Sequence, residues 1–316
     1  MENIRYLLPQ EGTFYKANLH CHTNLSDGQL SPEDIKIAYQ LRGYQVVAYT
    51  DHRICVDHSD LNDESFLALT GTELDDRTSP AESGWDQCCH ICCIARTPGT
   101  RENMTQLEHG GAEAYNRTIE KVKNEGFIVH YNHPVWSAQP ASVYTALRGV
   151  RGFEVFNHDA ELYGVEGNGL PNYALFLKSG QRAYPVAGDD NHNISRPRRF
   201  MTDSFGAYTV IKAKELTYES IISALDAGHV YASTGPEVLE YTLCGKKLSI
   251  KCSPASRVIL KSAMVGINKQ NVIMPSDVIT EATFDLSEVR GFAYILVYAK
   301  DGTCACTAPV YEEEWT

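Results

Sequence analysis

The sequence predicts an α/β protein: a closed (β/α) barrel over residues 1–236, followed by a small antiparallel β module over residues 237–316. Three observations carry this expectation. Short strand-like runs alternate with helical patterns through the first 235 residues, which implies βαβ units and a mainly parallel sheet. Seven or more such repeats favour closure into a barrel. Past STGPE (233–237) the helical patterns stop and strand-like runs follow one another.

FYKANL is the first strand, and SPEDIKIAYQL is a helix with Ser31 as N-cap, Pro32 at the first helical position and acidic residues behind it. VVAYT follows Gly43 as the next strand. FLALTG, ICCIA, FIVHY, GFEVF, YPVAG and AYTVI are further strands, short and rich in β-branched or aromatic residues. Helical patterns fall at AEAYNRTIEKVKN, SVYTALR, NYALFLKSG and LTYESIISALDAG, the last two stopping on glycine. In the final segment LEYTL, KLSIKC, RVILKS, ATFDL and FAYILVYA are strands separated by turns such as CGKK and KDGT.

Composition narrows the partners. A net charge of −12 argues against a nucleic acid polymer, which needs clustered Lys and Arg. It leaves room for a small anionic substrate, because bound metal ions can invert the local field. No run of 18 apolar residues exists, so no spanning helix and no membrane partner are expected. The start MENIRYLLPQEG lacks a basic, apolar leader, and a cytoplasmic location is the expectation. Ten cysteines are then reduced thiols. The run CCHICC (88–93) could hold a thiolate metal site, but its adjacent pairs lack the spacing of zinc knuckles, and burial in a strand accounts for them better.

Most of the histidines are not scattered. His20 and His22 close the first strand within HCHTNLSDG, with Asp27 five residues on. His52 follows VVAYTD, Glu73 follows FLALTGT, His133 follows FIVHYN, and Asp190 with His192 follows YPVAGD. In a parallel barrel the C-terminal strand ends meet at one face, where active sites are built. Imidazole and carboxylate suit zinc, manganese or iron, and the absence of thiolate at these positions favours a catalytic centre over a closed structural one. A single strand-end histidine is ordinarily a solvated loop residue; the repetition at one topological place is the signal. His58, His109, His158 and His229 have no such placement, and His130 lies inside a strand. Asp51 and Asp189, each beside a candidate ligand, are expected to orient ligands.

HCH (20–22), SDG (26–28), TDH (50–52), GTE (71–73), NHP (132–134) and GDDNH (188–192) resemble, in order and spacing, the motif series of the PHP (polymerase and histidinol phosphatase) family. The resemblance covers roughly residues 15–235. It implies a distorted seven-stranded (β/α) barrel with a trinuclear metal centre. One ion is implied on His20, His22, Glu73 and Asp190, a second on Glu73, His90 and His133, and a third on Asp27, His52 and His192. His90 precedes the ICCIA strand and enters through its place between the GTE and NHP motifs. Nine ligands exceed the needs of one ion and fit two or three divalent ions, zinc, manganese or iron. GDDNH and ALDAGHVYASTGP, with a β-rich tail ending in TAPVY, further resemble the carbaryl-hydrolase-type branch.

The implied function is hydrolysis by a metal-bridging hydroxide, with Glu73 and Asp190 holding the ions that activate it. A phosphoesterase acting on small phosphoesters is the leading expectation, since the ions make a cationic pocket in an acidic protein. Several phosphatases of the family carry Pro-Gly-Arg after the NHP-type histidine, whereas this chain reads HPVW (133–136). Arg53, Arg196, Arg198 or Arg199 could supply the missing guanidinium, with surface solvation as the alternative. The departure keeps a carbamate or carboxyl ester hydrolase open. A non-catalytic metal-binding regulator is the third reading.

Overall fold

A computed structural model of the chain describes residues 4–194, 202–266 and 270–316. Ten strands precede residue 237: β1 (Ile4–Tyr6), β2 (Thr13–Asn18), β3 (Val46–Tyr49), β4 (Leu67–Thr78), β5 (Gln87–Ala95), β6 (Phe127–Tyr131), β7 (Gly152–Asn157), β8 (Tyr184–Gly188), β9 (Tyr208–Ala213) and β10 (Val230–Ser233). Eight follow: β11 (Val238–Cys244), β12 (Lys247–Ala255), β13 (Arg257–Ser262), β14 (Val272–Ile273), β15 (Ile279–Asp285), β16 (Phe292–Tyr298), β17 (Cys304–Thr307) and β18 (Val310–Tyr311). The helices are α1 (Pro32–Gln40), α2 (Pro80–Ser83), α3 (Ala112–Asn124), α4 (Ala141–Tyr144), α5 (His158–Gly164), α6 (Leu170–Lys178) and α7 (Tyr218–Ala227).

The longer helices start and stop where their chemistry dictates. Ser31 accepts a hydrogen bond from Asp34 N ahead of α1, and Thr217 accepts one from Ser220 N ahead of α7. Gly228 ends α7 in the left-handed conformation, at φ +74°. α3 buries Ala114, Tyr115, Thr118, Ile119 and Val122, a stripe at helical spacing that packs on the sheet.

The fold is mixed α/β with one large mixed sheet and few helices. β2, β3 and β4 are mutually parallel, as are β6, β7 and β8. β5 runs antiparallel to both β4 and β6, and β9 runs antiparallel to β2. The expectation of a mainly parallel sheet is therefore corrected. A parallel crossover needs a dozen or more residues, and only residues 79–86 separate β4 from β5, so the pair folds back as a hairpin. Past β8 the chain returns to β2: Asp190 N donates to His20 O (2.9 Å), and His22 N donates to Asn191 O (3.1 Å). These contacts bring together segments 170 residues apart in sequence.

Residues 237–316 are joined to the preceding strands by hydrogen bonds. β17 pairs antiparallel with β10, extending the large sheet through β16, β13 and β14, with β18 on β16. β1, β11, β12 and β15 form a second sheet. Leu248, Ile250 and Phe284 of that sheet share a core with Val258, Ile295 and Val297 of the large one. The alternation of buried and exposed residues along β12 is what places one face inward. No disulfide joins any of the ten cysteines, eight of which are buried. No helix among the described residues is long and apolar enough to cross a membrane.

Candidate metal centre

The nine residues singled out by motif come together in one cluster. Their ligand atoms fall into three groups, each within 4.8 Å: His20, His22, Glu73 and Asp190; Glu73, His90 and His133; and His22, Asp27, His52 and His192. The groupings match the implied ligand sets except that His22 also reaches the third. His20 Nε2 lies 3.0 Å from Asp190 Oδ1 and 3.2 Å from Glu73 Oε1. His22 Nε2 lies 3.1 Å from Asp190 Oδ1 and 3.3 Å from Glu73 Oε2. His90 Nδ1 approaches Glu73 Oε1 at 3.1 Å and His133 Nε2 the same oxygen at 3.5 Å. Around Asp27, His192 Nε2 stands at 3.5 Å and His52 Nε2 at 3.7 Å.

Local backbone chemistry builds this arrangement. The loop from His20 to Gly28 folds so tightly that a Cβ on Gly28 would sit 2.7 Å from the His22 carbonyl carbon, so only glycine fits. Asp51 anchors the same loop, accepting from Thr23 N and Thr23 Oγ1 (both 2.8 Å) and from Ser26 Oγ (2.7 Å). Asp189 accepts from Tyr39 OH and from the amides of Phe205, Gly206 and Ala207. Both aspartates thus hold loops that carry candidate ligands. Asp190 and His133 have positive φ, +54° and +23°, a conformation that L residues hold mainly where the surroundings enforce it. His90 reaches the cluster because β5 is reversed: Asp75 pairs with His90, so the start of β5 lies beside the end of β4.

Two carboxylates at the site escaped the sequence reading. Glu154, in the middle of GFEVF on β7, is buried; its Oε1 lies 3.1 Å from His20 Nδ1 and its Oε2 accepts from His133 N (2.8 Å) and Asn157 Nδ2 (3.0 Å). A charged residue inside an apolar strand run was the signal available. Asp75, two residues after Glu73, places Oδ1 3.4 Å from both His52 Nδ1 and Arg53 Nε. Glu154→Gln is expected to weaken metal binding by roughly 10–100-fold, the usual effect of removing the carboxylate behind a ligating imidazole. Calorimetric titration of the variant with zinc or manganese checks it, with unchanged affinity as the contradicting result.

The donor set fits divalent cations. Glu73 and Asp190 are buried and acceptor-only, and an isolated carboxylate in such surroundings is strongly disfavoured. Burial would raise both carboxyls, but His20 and its neighbours outweigh it and hold them well below the usual range. Burial opposes protonating His22, yet Asp190 and Glu73 carry it up to about 9. His22 Nδ1, His52 Nδ1 and Asp75 Oδ1 are buried with no hydrogen-bond partner. Ring nitrogens facing carboxylates and one another, with buried polar atoms left unsatisfied beside them, are what an ion would satisfy.

The remaining candidates lie apart. His130 is in β6 with Nε2 3.1 Å from Tyr184 OH, and His109 sits between Asp76 and Glu82 on the surface. Arg53 is exposed and directed to Asp75. Arg196, Arg198 and Arg199 lie outside the described residues. The cleft over the cluster, about 390 Å³, is lined by Asp27, His52, Glu73, His90, His133 and Asp190, and on its flank by Trp136 and Tyr163.

No protein-family model and no curated protein matches the chain. Solved structures do. One is a two-domain protein of Bacteroides vulgatus ATCC 8482 described as containing a predicted PHP-like metal-dependent phosphoesterase, at 15% identity and TM-score 0.47, covering 98% of this chain and 99% of that one. Another is an amidohydrolase from Chromobacterium violaceum, at 14% identity and TM-score 0.37, covering 56% of this chain and 87% of that one.

Proposed function

We propose that the chain is a metal-dependent hydrolase of the PHP type that cleaves small phosphoesters, with β2 to β8 as the strands of a distorted barrel and residues 237–316 as a β module that supplies no ligand. The observation that carries the reading is the placement of Glu73. Its two oxygens face different donors: Oε1 faces His20, His90 and His133, while Oε2 faces His22 and His52. A buried carboxylate set between two histidine groups is suited to bridging two ions. His20, His22, Glu73 and Asp190 would hold one ion, Glu73, His90 and His133 a second, and Asp27, His52 and His192 a third.

Ions there, as zinc, manganese or iron, supply a water ionised near neutral pH and Lewis acidity toward phosphoryl oxygens. The chain's own residues do the positioning. Glu154 fixes the His20 ring through Nδ1, and Ser137 Oγ, 2.9 Å from His133 Nδ1, fixes His133. Asn132 Nδ2 donates to Glu73 Oε1 (2.6 Å), and Asn157 Nδ2 donates to Asp190 Oδ2 (3.1 Å), holding both carboxylates in one orientation. Preset orientation of this kind avoids reorganisation during reaction.

A second reading has its own observation. Among the described residues lining the cleft there is no Lys or Arg, so a carbamate or carboxyl ester on the same centre needs nothing the cleft lacks. Metal-loaded protein screened against phosphomonoesters, phosphodiesters, nucleotides, aryl esters and carbamates separates the two. Metal-dependent phosphoester turnover is the expected result. Turnover of neutral esters alone contradicts it, and no turnover with full metal content favours a regulator. If phosphoesters are cleaved, Ala at Arg53, Arg196, Arg198 or Arg199 should raise KM with little change in kcat wherever that guanidinium binds substrate.

A further inference from the structure

We infer that the cavity at the opposite end of β7 and β8 from the metal cluster is a second binding site, which takes a small oxyanion, phosphate or carboxylate, between the starts of these strands and the C-terminal segment. Asp190 lies just past the end of β8, whereas Arg182 and Tyr184 lie at its start. Five residues of extended strand put roughly 17 Å between the two ends. The cavity, about 370 Å³, is lined by Arg5, Arg151, Arg182, Tyr184, His229 and Tyr311. Glu313 and Glu314 also border it.

Arg151 is the decisive residue. Its backbone is fixed between β6 and β8: Arg151 N donates to Val129 O (2.8 Å), and its carbonyl accepts from Tyr184 N (2.9 Å). The side chain is partly buried, with the guanidinium 5.6 Å from the Tyr184 ring centroid and one amino group donating to the Asp226 carbonyl near the end of α7. The Asp226 carboxylate goes to Arg96 instead (2.8 Å), and among the described residues no carboxylate pairs with Arg151. A guanidinium has several N–H donors in a fixed fork, so one carbonyl leaves most of them over. A cation partly withdrawn from water without a counter-ion is what a bound anion would satisfy.

The other two arginines are set nearby. Arg182 stands over the Tyr311 ring, 4.2 Å from its centroid, and pairs with Glu313; Arg5 pairs with Glu314 at 2.6 Å. Both arginines are exposed, and exposed pairs of this kind are weak enough to be shared with a ligand. Burial and the Arg5 charge hold His229 below its usual range, so it adds no charge near pH 7. Three guanidinia against two carboxylates leave the cavity positive, in a chain whose net charge is −12. Planar guanidinia seated on tyrosine rings suit bidentate contact with phosphate or carboxylate. Arg151 and Arg182 lead into β7 and β8, whereas Tyr311, Glu313 and Glu314 belong to the end of the chain. An anion bound among them therefore ties that end to the large sheet.

The test is calorimetric titration of the metal-loaded chain with sodium phosphate and with sodium succinate, at an ionic strength held constant with chloride. Saturable binding of at least one is expected, and the tighter of the two tells a phosphate ligand from a carboxylate one. Phosphate can also reach the metal centre, so the binding lost with the arginines is the quantity read. Arg151→Gln should weaken binding by about tenfold, as loss of a charge-assisted hydrogen bond does, and Arg182→Gln by about threefold. Arg151 also holds the end of α7, so the exposed change Arg182→Gln keeps the test open should Arg151→Gln fold poorly. Circular dichroism and metal content establish which variants are intact. Saturating anion should raise the wild-type Tm by about 3 °C and that of Arg151→Gln by less than about 1 °C. No saturable binding of either anion, or affinities unchanged in every variant that folds, overturns the site. Neither outcome bears on hydrolysis, because none of these arginines lies among the metal donors.

Discussion

Glu73→Gln is expected to lose metal more severely than any other single isosteric change, by more than about 100-fold in affinity for at least one ion, since even residues behind the ligands are worth roughly 10–100-fold. The carboxylate is buried among His20, His22, His52, His90 and His133. Its negative charge would offset the mutual repulsion of two ions held by these residues. The amide has one acceptor oxygen, and Asn132 Nδ2, which donates to Oε1, decides where it points. The carbonyl will face Asn132, His90 and His133, leaving the amide nitrogen toward His22 and His52. The loss should therefore fall first on the ion next to His22. His52→Ala removes a partly exposed ring from one group only, and about a tenfold loss is expected. Metal content and kcat of the two variants, measured side by side, check the ranking; equal losses contradict a bridging role.

Chelation is expected to lower the melting temperature, and the gap between metal-loaded and chelated protein should widen as pH rises from about 6.5 to about 9. In the metal-free chain burial opposes protonation of His22, but Asp190 and Glu73 outweigh it and raise the ring from an ordinary 6.5 to about 9. A folded-state pKa above the unfolded one gives stability that is complete below 6.5 and is lost as pH climbs through about 9. Glu73 and Asp190, held well below the usual carboxylate range, contribute a constant amount over that window. Ions replace the proton on the ring and are bound more tightly as protons cease to compete. A site filled at 1,000 times its dissociation constant adds about 4 kcal/mol to folding stability. Thermal unfolding with chelator and with manganese, at three pH values across the window, gives the comparison. A gap that stays constant or narrows contradicts the assignment of His22 to the metal centre.

How much of this could be read from the chain depends on the range of the physics involved. α1, α3 and α7 were legible because caps and helical spacing are local: Ser31 and Gly228 act on residues within one turn. Most strand positions before residue 237 were legible for the same reason. Strand direction was not, because the reversal of β5 depends on the short connection after β4 and on β4 running through Glu73 to Thr78 instead of ending before it. That reversal is why His90 looked misplaced beside the other candidate ligands. β10 and β17 were missed: VYAS and CACT are four residues each, too short for a periodic pattern, and their pairing with each other joins segments about 70 residues apart. Glu154 and Asp75 were missed because a carboxylate behind a ligand carries no motif of its own; only the fold brings it to the imidazole.

The central claim is that His20, His22, Asp27, His52, Glu73, His90, His133, Asp190 and His192 hold divalent ions. The direct measurement is elemental analysis of protein purified without chelator, with anomalous diffraction at the metal edges to place each ion. Two or three ions per chain, with one between the His20–His22 pair and Asp190 and another between His90 and His133, is the predicted result. Less than one ion per chain, unchanged after incubation with zinc, manganese or iron, would contradict it.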